Sequence, residues 1–191
     1  LHGPDNNAVS QDEAVGSPRR MQWVCGPRYA RSHEINSSMS AMVSAGGRLF
    51  YIWDEGPLGL TDARFPAKWS LIARDGFNGT LLWKKAYGPE WTKNYSGTRS
   101  TPIVVDDLIY FVSGLGKVYC LSVTNGATQW SVNMHHKFKA PVIDWGISEQ
   151  LLVDGNRVFC TPGGPNGVVA LNRFSGNVVW KSENNGEASS Y

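Results

Sequence analysis

A short motif occurs three times in this chain, each time a glycine followed by three residues and a tryptophan. The copies end at Trp83, Trp130 and Trp180, so the tryptophans are 47 and 50 residues apart. Self-similarity with a period of about 20 to 50 residues is typical of proteins built from stacked structural units. Such a unit buries its apolar surface against its neighbours. The motif therefore restricts the chain to a repeat architecture.

The segments around the motif have the pattern of β-strands. Short apolar runs alternate with Gly, Asn and Asp turns, and no stretch of helical length has an apolar period of about 3.6 residues. Each unit accommodates four short strands, which predicts an all-β fold, a β-propeller of four-stranded antiparallel blades. We expect an extended lead-in, three complete blades and the opening strand of a further blade at about 1–19, 38–87, 98–134, 147–182 and 186–191.

A small residue precedes each motif glycine by six positions. A small side chain that faces the next sheet would let an indole lie flat against it, and the glycine would permit a tight turn before the last strand. We therefore interpret the tryptophans as packing groups between sheets, in tryptophan-docking motifs, rather than as ligand contacts. The predicted docking set comprises Ala73, Gly79, Trp83, Cys120, Gly126, Trp130, Ala170, Gly176 and Trp180.

The charge and hydropathy of the chain argue against two classes of partner. The formal net charge is +2 over 191 residues and no lysine- or arginine-rich run is present, unlike a nucleic-acid-binding domain. No apolar stretch approaches the roughly 18 residues that span a bilayer. We accordingly predict no nucleic-acid partner and no membrane span.

The three cysteines, Cys25, Cys120 and Cys160, are odd in number and widely separated. Their spacing fits neither a Cys-x-x-Cys metal site nor a disulfide framework. Because Cys120 and Cys160 lie in apolar runs, we expect buried thiols packed as small apolar groups.

Two segments, Cys120–Trp130 and Ala170–Trp180, share a longer pattern: a small residue, leucine, a short polar residue, three further residues, then the motif. Ala73–Trp83 follows the same pattern with Arg74 in place of leucine. This pattern resembles the tryptophan-docking repeat of PQQ-like, quinoprotein-type β-propellers, and of bacterial PQQ-binding-like repeat proteins in particular. The likeness covers about residues 20–191.

The resemblance implies a ring of about seven or eight blades in a bacterial, extracytoplasmic protein, periplasmic or secreted. Three blades cannot close such a ring with normal twist and would leave a bare sheet edge at each end. We therefore expect an incomplete ring with partial flanking strands, a segment of a larger propeller whose remaining blades would be among its partners.

Two functions are compatible with the resemblance. The first is a non-catalytic scaffold or recognition module that binds a protein or polymer partner, because enzymes and scaffolds share the repeat as a packing device. The alternative is part of a PQQ-dependent quinoprotein oxidoreductase of the alcohol or sugar dehydrogenase type. PQQ and Ca²⁺ would then be the cofactors, with hydride transfer to the quinone. The sequence has neither the adjacent cysteines nor the Cys-x-x-Cys-His haem motif of branches of that family.

One charged cluster is the candidate cofactor contact. Arg28, Arg31 and His33 lie within six residues, just before a predicted inner strand. Arginine forms bidentate hydrogen bonds with anions, so these residues predict an anion or cofactor contact near the propeller axis. A salt-bridge network on the surface or between blades explains the same cluster. No catalytic residue is assigned.

Two further segments carry metal-ligand chemistry without its spacing. Asp54, Glu55 and Asp62 lie in a long polar insertion with hard oxygen ligands, but not at the spacing of an EF-hand loop, so we favour a solvated loop. His135 and His136 are adjacent with no further ligand at a suitable spacing, so we interpret 135–139 as a basic connector. We predict no metal site.

Overall fold

The computed structural model of the chain describes residues 40–54, 69–93 and 97–184. Twelve strands in these ranges form three antiparallel sheets of four strands each, and neighbours in a sheet are consecutive in sequence. The predicted all-β class is confirmed. The first sheet comprises β1 (Val43–Ala45), β2 (Arg48–Asp54), β3 (Trp69–Asp75) and β4 (Leu81–Gly88); the second β5 (Ile103–Val105), β6 (Leu108–Val112), β7 (Lys117–Ser122) and β8 (Thr128–Asn133); the third β9 (Leu152–Asp154), β10 (Arg157–Cys160), β11 (Asn166–Asn172) and β12 (Val178–Glu183).

The chain between the second and third sheets contains one helical turn, α1 (Met134–Phe138). Asn133 caps its N-terminus, because the side-chain Oδ1 accepts a hydrogen bond from the backbone N–H of His136 (3.0 Å). Lys139 ends the turn in a left-handed conformation, with φ 57°. Five residues are too few to show a helical period in a sequence. The connector predicted at 135–139 is therefore partly helical because of the Asn133 cap, which the apolar pattern does not indicate.

The second sheet lies between the other two and is buried on both faces. Successive side chains of a strand point to opposite faces of its sheet. Ile109 and Phe111 pack in a core with residues of the first sheet, including Phe50. Tyr110 packs on the opposite face, in a core with residues of the third sheet, including Val158. Sheets stacked face to face with a core at each interface are the arrangement of neighbouring propeller blades, and the described residues form three of them.

Each of the first two motif tryptophans bridges to the following sheet. Trp83 donates its indole Nε1–H to the backbone carbonyl of Val123 (2.9 Å). Trp130 donates to the carbonyl of Arg173 (2.8 Å). Both acceptors stand three residues before the next motif glycine. Because a hydrogen bond adds direction to apolar packing, the two bridges fix how neighbouring sheets are placed.

The motif glycine of the following sheet touches the same indole. Gly126 and Gly176 both have φ 69°, a left-handed conformation that glycine adopts without steric cost. A Cβ at Gly126 would lie 2.8 Å from Cζ3 of Trp83, and one at Gly176 would lie 2.8 Å from Cδ2 of Trp130. Two constraints therefore require the glycine. One is the turn, as the sequence indicated, and the other is the close approach of the tryptophan of the preceding sheet.

The small residue of the motif lies directly across from the tryptophan of its own sheet. All three small residues are fully buried. On its other side the small residue pairs with an aromatic residue of the preceding strand. The ring of that residue lies beside the indole, with ring centroids 6.0 to 6.1 Å apart. A larger side chain between these two rings would compete with the indole for the same face of the sheet. In each sheet these three residues form a row across neighbouring strands: Phe50–Ala73–Trp83 in the first, Tyr110–Cys120–Trp130 in the second and Phe159–Ala170–Trp180 in the third.

The third sheet has no neighbour on its outer face within the described ranges. Trp180 is 41% exposed, whereas its counterpart Trp130 is 8% exposed. Leu152, at the inner end of the same row, is 61% exposed. The outer face of the third sheet thus repeats the apolar pattern that the second sheet buries against the third.

Arg74 is the residue that departs from the repeat pattern, and it has local partners of its own. Its Nε donates to the hydroxyl of Tyr51 (2.9 Å), and its Nη1 donates to the backbone carbonyl of Gly79 (2.7 Å). The equivalent leucines, Leu121 and Leu171, are fully buried. Arg74 therefore braces the last turn of the first sheet by hydrogen bonds where its counterparts do so by apolar burial.

Cys120 and Cys160 are buried and not disulfide-bonded, as their apolar surroundings predicted. Burial raises the pKa of the Cys120 thiol to about 12, so it stays protonated at neutral pH. Cys25 and the segments predicted at 1–19 and 186–191 lie outside the described residues. In the part of the chain that is described, no helix has the length and apolar character needed to cross a membrane.

Replacing Gly126 with alanine should destabilise the protein far more than replacing Gly155, although both glycines have positive φ. The Cβ at Gly126 would meet Trp83 at 2.8 Å, whereas a Cβ at Gly155 meets nothing within 4 Å. We expect losses in the free energy of unfolding of about 3 kcal/mol for Gly126→Ala and about 1 kcal/mol for Gly155→Ala. Urea unfolding measures both, and equal losses would contradict the role assigned to the glycine–indole contact.

Candidate functional site

The chain passes from sheet to sheet at one end of the stack, where β5 and β9 begin. The backbone N–H of Met134 donates to the carbonyl of Gly116 (2.9 Å), and that of Ile147 donates to the carbonyl of Gly114 (2.8 Å). These bonds attach α1 and the segment after it to the β6–β7 turn. Connections held on a rigid scaffold are the usual place for binding residues. We call this region the connector end; it comprises residues 89–93, 97–102 and 134–151.

A ladder of hydrogen bonds links the three segments that precede the first strands of the three sheets. The backbone N–H of Ala41 donates to Oγ1 of Thr101 (3.2 Å). The backbone N–H of Thr101 donates to Oε1 of Gln150, and Nε2 of Gln150 donates back to the carbonyl of Thr101, both at 3.0 Å. The amide of Gln150 thus completes a two-bond pairing between connectors. This ladder keeps the three strand starts in register, so the connector end behaves as one surface.

A buried carboxylate lies beneath this surface. Glu90 is 4% exposed and accepts hydrogen bonds from the Tyr87 hydroxyl (2.9 Å), from the backbone N–H of Trp91 (2.9 Å) and from that of Gly114. Burial raises the pKa of the Glu90 carboxyl to about 7, and the hydrogen bonds oppose that rise. Glu90 therefore ties the connector of the second sheet to the β6–β7 turn.

A second glutamate has the same role in the third sheet. Oε1 of Glu149 accepts hydrogen bonds from the backbone N–H of Thr161 (2.5 Å) and from its hydroxyl (2.9 Å). Oε2 is buried and has no hydrogen-bond partner among the described residues. Burial raises the pKa of the Glu149 carboxyl to about 7. Both carboxylates accept hydrogen bonds from backbone N–H groups of neighbouring turns, so we assign both a bracing role.

The exposed part of the connector end is aromatic and cationic. Trp145 is 52% exposed and Val142 is 75% exposed. Nη1 of Arg99 donates to the backbone carbonyl of Trp145 (2.5 Å), which holds the guanidinium beside the indole's own loop. Gly146, with φ 72°, packs so closely on Trp91 that a Cβ would lie 2.8 Å from the ring. The exposed indole thus stands on a fixed backbone rather than on a free loop.

The residues proposed from sequence as cofactor or metal contacts are mostly outside what the structure describes. This holds for Arg28, Arg31 and His33. It also holds for Glu55, Asp62 and the side chain of Asp54. Their proposed roles therefore stay predictions from the sequence.

The two adjacent histidines of the connector do not converge on a common point. Nδ1 of His135 forms a hydrogen bond with the carbonyl of Ala140 (2.8 Å), and its Nε2 lies close to the position of a Cβ on Gly116. His136 is exposed. In the described part of the chain, no group of three or more His, Cys, Asp or Glu side chains is placed to hold a metal ion. His135 therefore closes the turn after α1.

Sequence reasoning missed the candidate surface because its members are far apart in the chain. Arg99 and Trp145 are 46 residues apart, and Glu90 and Gly114 are 24 residues apart. No motif links either pair. The one signal in the sequence was position: Arg99, Trp145 and Glu90 lie in connectors and Gly114 lies in a turn, so none of them lies in a strand. An isolated Trp or Glu in a connector predicts nothing until the turn it meets is known.

A comparison with protein families matches residues 1–132 and 116–190 to a model described as outer membrane protein assembly factor BamB. The chain belongs to this family of PQQ-like repeat proteins. The resemblance to PQQ-like propellers drawn from the docking motif is thereby confirmed. A BamB of Kangiella koreensis is 30% identical over 111 residues, 55% of this chain. The chain spans 25% of the length of that relative.

Two solved structures are similar to part of this chain. BamB from Moraxella catarrhalis matches at 15% identity over 76% of this chain and 49% of its own, with a TM-score of 0.47. The quinohemoprotein alcohol dehydrogenase from Comamonas testosteroni matches at 15% identity over 75% of this chain and 20% of its own, with a TM-score of 0.51. At this identity the second likeness concerns the fold.

The two buried glutamates predict a pH dependence of stability. A carboxyl whose pKa is higher in the folded than in the unfolded state stabilises the fold fully below its unfolded pKa, and this stabilisation is lost as the pH rises through the folded pKa. The free energy of unfolding should therefore fall between about pH 4.5 and about pH 7, the unfolded and folded pKa values of Glu90 and Glu149. Urea unfolding across this range measures the slope.

Variants assign that slope to its source. Glu90→Gln and Glu149→Gln should each flatten it, and the double variant should flatten it most, because glutamine keeps an acceptor oxygen and does not titrate. Glu183→Gln is the control, since Glu183 is exposed. A slope unchanged in the double variant would contradict the assignment.

Proposed function

We propose that this chain is a non-catalytic propeller segment that holds a protein partner at its connector end and takes part in outer membrane protein assembly. The family supports the process, since its description names an assembly factor. The binding site is inferred from one observation: the indole of Trp145 is half-exposed, and Arg99 and Gly146 fix the backbone that bears it. The same family supports an extracytoplasmic location, which is part of the proposal.

The chemistry of this surface suits protein binding. Tryptophan and arginine are the residues most enriched at the energetic centres of protein interfaces, because each brings a large contact area together with hydrogen-bond donors. An exposed indole on a mobile loop loses conformational entropy on binding, whereas one on a fixed backbone loses less. Hydrogen bonds beneath the surface keep this backbone fixed. They are the Thr101–Gln150 pairing and the bonds accepted by the carboxylates of Glu90 and Glu149.

The alternative, part of a PQQ-dependent oxidoreductase, shares the propeller fold with this chain. In the part of the chain that is described, no group of three or more His, Cys, Asp or Glu side chains is placed to hold a metal ion; Ca²⁺ also accepts amide and backbone carbonyl oxygens. The residues that the sequence offered, Arg28, Arg31 and His33, lie outside the described ranges. Incubation with PQQ and Ca²⁺, followed by desalting, tests this alternative by the retained quinone absorbance.

A photocrosslinking amino acid at position 145 should capture the partner in cells, and one at position 174 should not. Phe174 is the matched control, because it is 53% exposed against 52% for Trp145 but lies in the β11–β12 turn at the other end of the sheet. We expect a discrete crosslinked band at position 145 that contains a protein of the outer membrane assembly machinery. Equal crosslinking at both positions, or none at 145, would contradict the proposal.

The Trp145→Ala variant should weaken the captured partner's binding at least about tenfold, the loss typical of an interface centre. The same substitution at Phe174 should change affinity by less than about twofold. Affinity can be measured with the purified partner identified by crosslinking, and near-ultraviolet circular dichroism verifies that both variants are folded. In cells, Trp145→Ala should also lower the amount of folded outer membrane β-barrel proteins.

A further inference from the structure

A cleft of about 430 Å³ opens at the connector end, between α1 and the third sheet. Its walls are formed by the end of α1, the start of β11 and the end of β12. A volume of this size lies within the range of ligand-binding sites, about 300 to 1,000 Å³. The residues on which its chemistry depends are Lys137, Phe138, Lys139, Asn166, Lys181 and Glu183.

The cleft concentrates positive charge. Lys137, Lys139 and Lys181 face one carboxylate, that of Glu183, and all four side chains are exposed. Nζ of Lys137 donates a hydrogen bond to the backbone carbonyl of Gly176 (3.4 Å), which leaves two of its three N–H groups for a ligand. The ion pair recorded among the described residues, between Arg173 and Asp106, involves none of these lysines. The cleft thus holds an excess of two positive charges, as many as the net charge of the whole chain.

The base of the cleft is rigid. Phe138 is 3% exposed and belongs to the core between the second and third sheets. Its backbone carbonyl accepts a hydrogen bond from Nδ2 of the buried Asn166 (2.8 Å). A Cβ on Gly164 would lie 2.8 Å from the carbonyl of Lys139, so the β10–β11 turn presses directly on the end of α1. The lysine stems therefore start from fixed backbone positions although their ammonium groups reach solvent.

We propose that this cleft binds an acidic segment of a protein partner, with carboxylate side chains paired to Lys137, Lys139 and Lys181. The inference rests on the proposed function, since it names the chemistry of the partner at the same connector end. Ammonium groups on flexible stems act as separate point charges and match several carboxylates spaced along a chain. The exposed Pro165 at the cleft supplies apolar contact for the peptide between its charges.

A nucleic acid is the less suitable occupant. Binding a phosphate backbone requires lysine and arginine residues clustered along a face, because each phosphate contact neutralises one charge. The cleft has three lysines, fewer than a face that follows a phosphate backbone presents, and Glu183 would repel a phosphate as it would a carboxylate. A polypeptide suits this mixed charge better, because a basic group of its own can pair with Glu183 while its carboxylates pair with the lysines.

A fluorescein-labelled oligoglutamate peptide tests the proposal on the full chain by fluorescence anisotropy. The wild-type protein should bind it at low ionic strength, and the Lys139→Glu/Lys181→Glu variant should bind it at least about tenfold more weakly. Arg157→Glu/Lys85→Glu is the control with the same change in net charge, because both residues are exposed and lie away from the cleft, at the start of β10 and in β4. The control should change affinity by less than about twofold.

Three results would overturn the proposal: no binding by the wild type, equal losses in the control and the Lys139→Glu/Lys181→Glu variant, or tighter binding of a DNA duplex than of oligoglutamate through the same lysines. The neutral variant Lys139→Gln/Lys181→Gln guards against misfolding caused by reversed charge and should show an intermediate loss. Trp145→Ala should leave oligoglutamate binding unchanged. Oligoglutamate binding without any crosslink at position 145 would support the cleft while refuting the proposed function.

Discussion

The three sheets are joined by a contact that combines a hydrogen bond with close packing. In the second sheet, Trp130 donates its indole N–H to the carbonyl of Arg173 while its ring lies against Gly176 of the third sheet. A four-stranded sheet alone would expose an apolar face, so its stability depends on this stacking. Arg173 strengthens the same interface through its ion pair with Asp106 (2.5 Å), in the β5–β6 turn. The position of the indole therefore sets the spacing between neighbouring sheets. The two hydrophobic cores fill the space between those sheets.

Fixing the sheets near their turns leaves the connector end available for function. The connectors are held from below by buried carboxylates, Glu90 at the β6–β7 turn and Glu149 at Thr161, rather than by regular structure. They can therefore display residues that a strand would bury. Trp145 is displayed in this way, and so are Lys137 and Lys139 of the cleft, whereas Lys181 stands at the exposed end of β12. A partner with an aromatic-binding surface and an acidic segment would use both Trp145 and the cleft.

Much of the fold was accessible from the sequence, and little of the candidate site was. The motif ending at Trp83, Trp130 and Trp180 indicated four-stranded units because its period and its turn residues are local in the chain. The same local signal could not reveal that Arg99 meets Trp145, since a 46-residue separation carries no pattern. It also missed α1, whose single turn is specified by the Asn133 cap rather than by hydrophobic period.

The sequence by itself determined the strands, their grouping into sheets and membership in the PQQ-like family, because these depend on short-range alternation, turn chemistry and repetition. Only the tertiary structure decided why the motif glycine is required, since a Cβ at Gly176 conflicts with an indole 46 residues earlier, at Trp130. It likewise decided that the carboxyl group of the half-buried Glu149 is enclosed and that Lys139 and Lys181 share a cleft. Burial, pKa and charge clustering arise from the packing of distant segments, and one-dimensional spacing does not encode them.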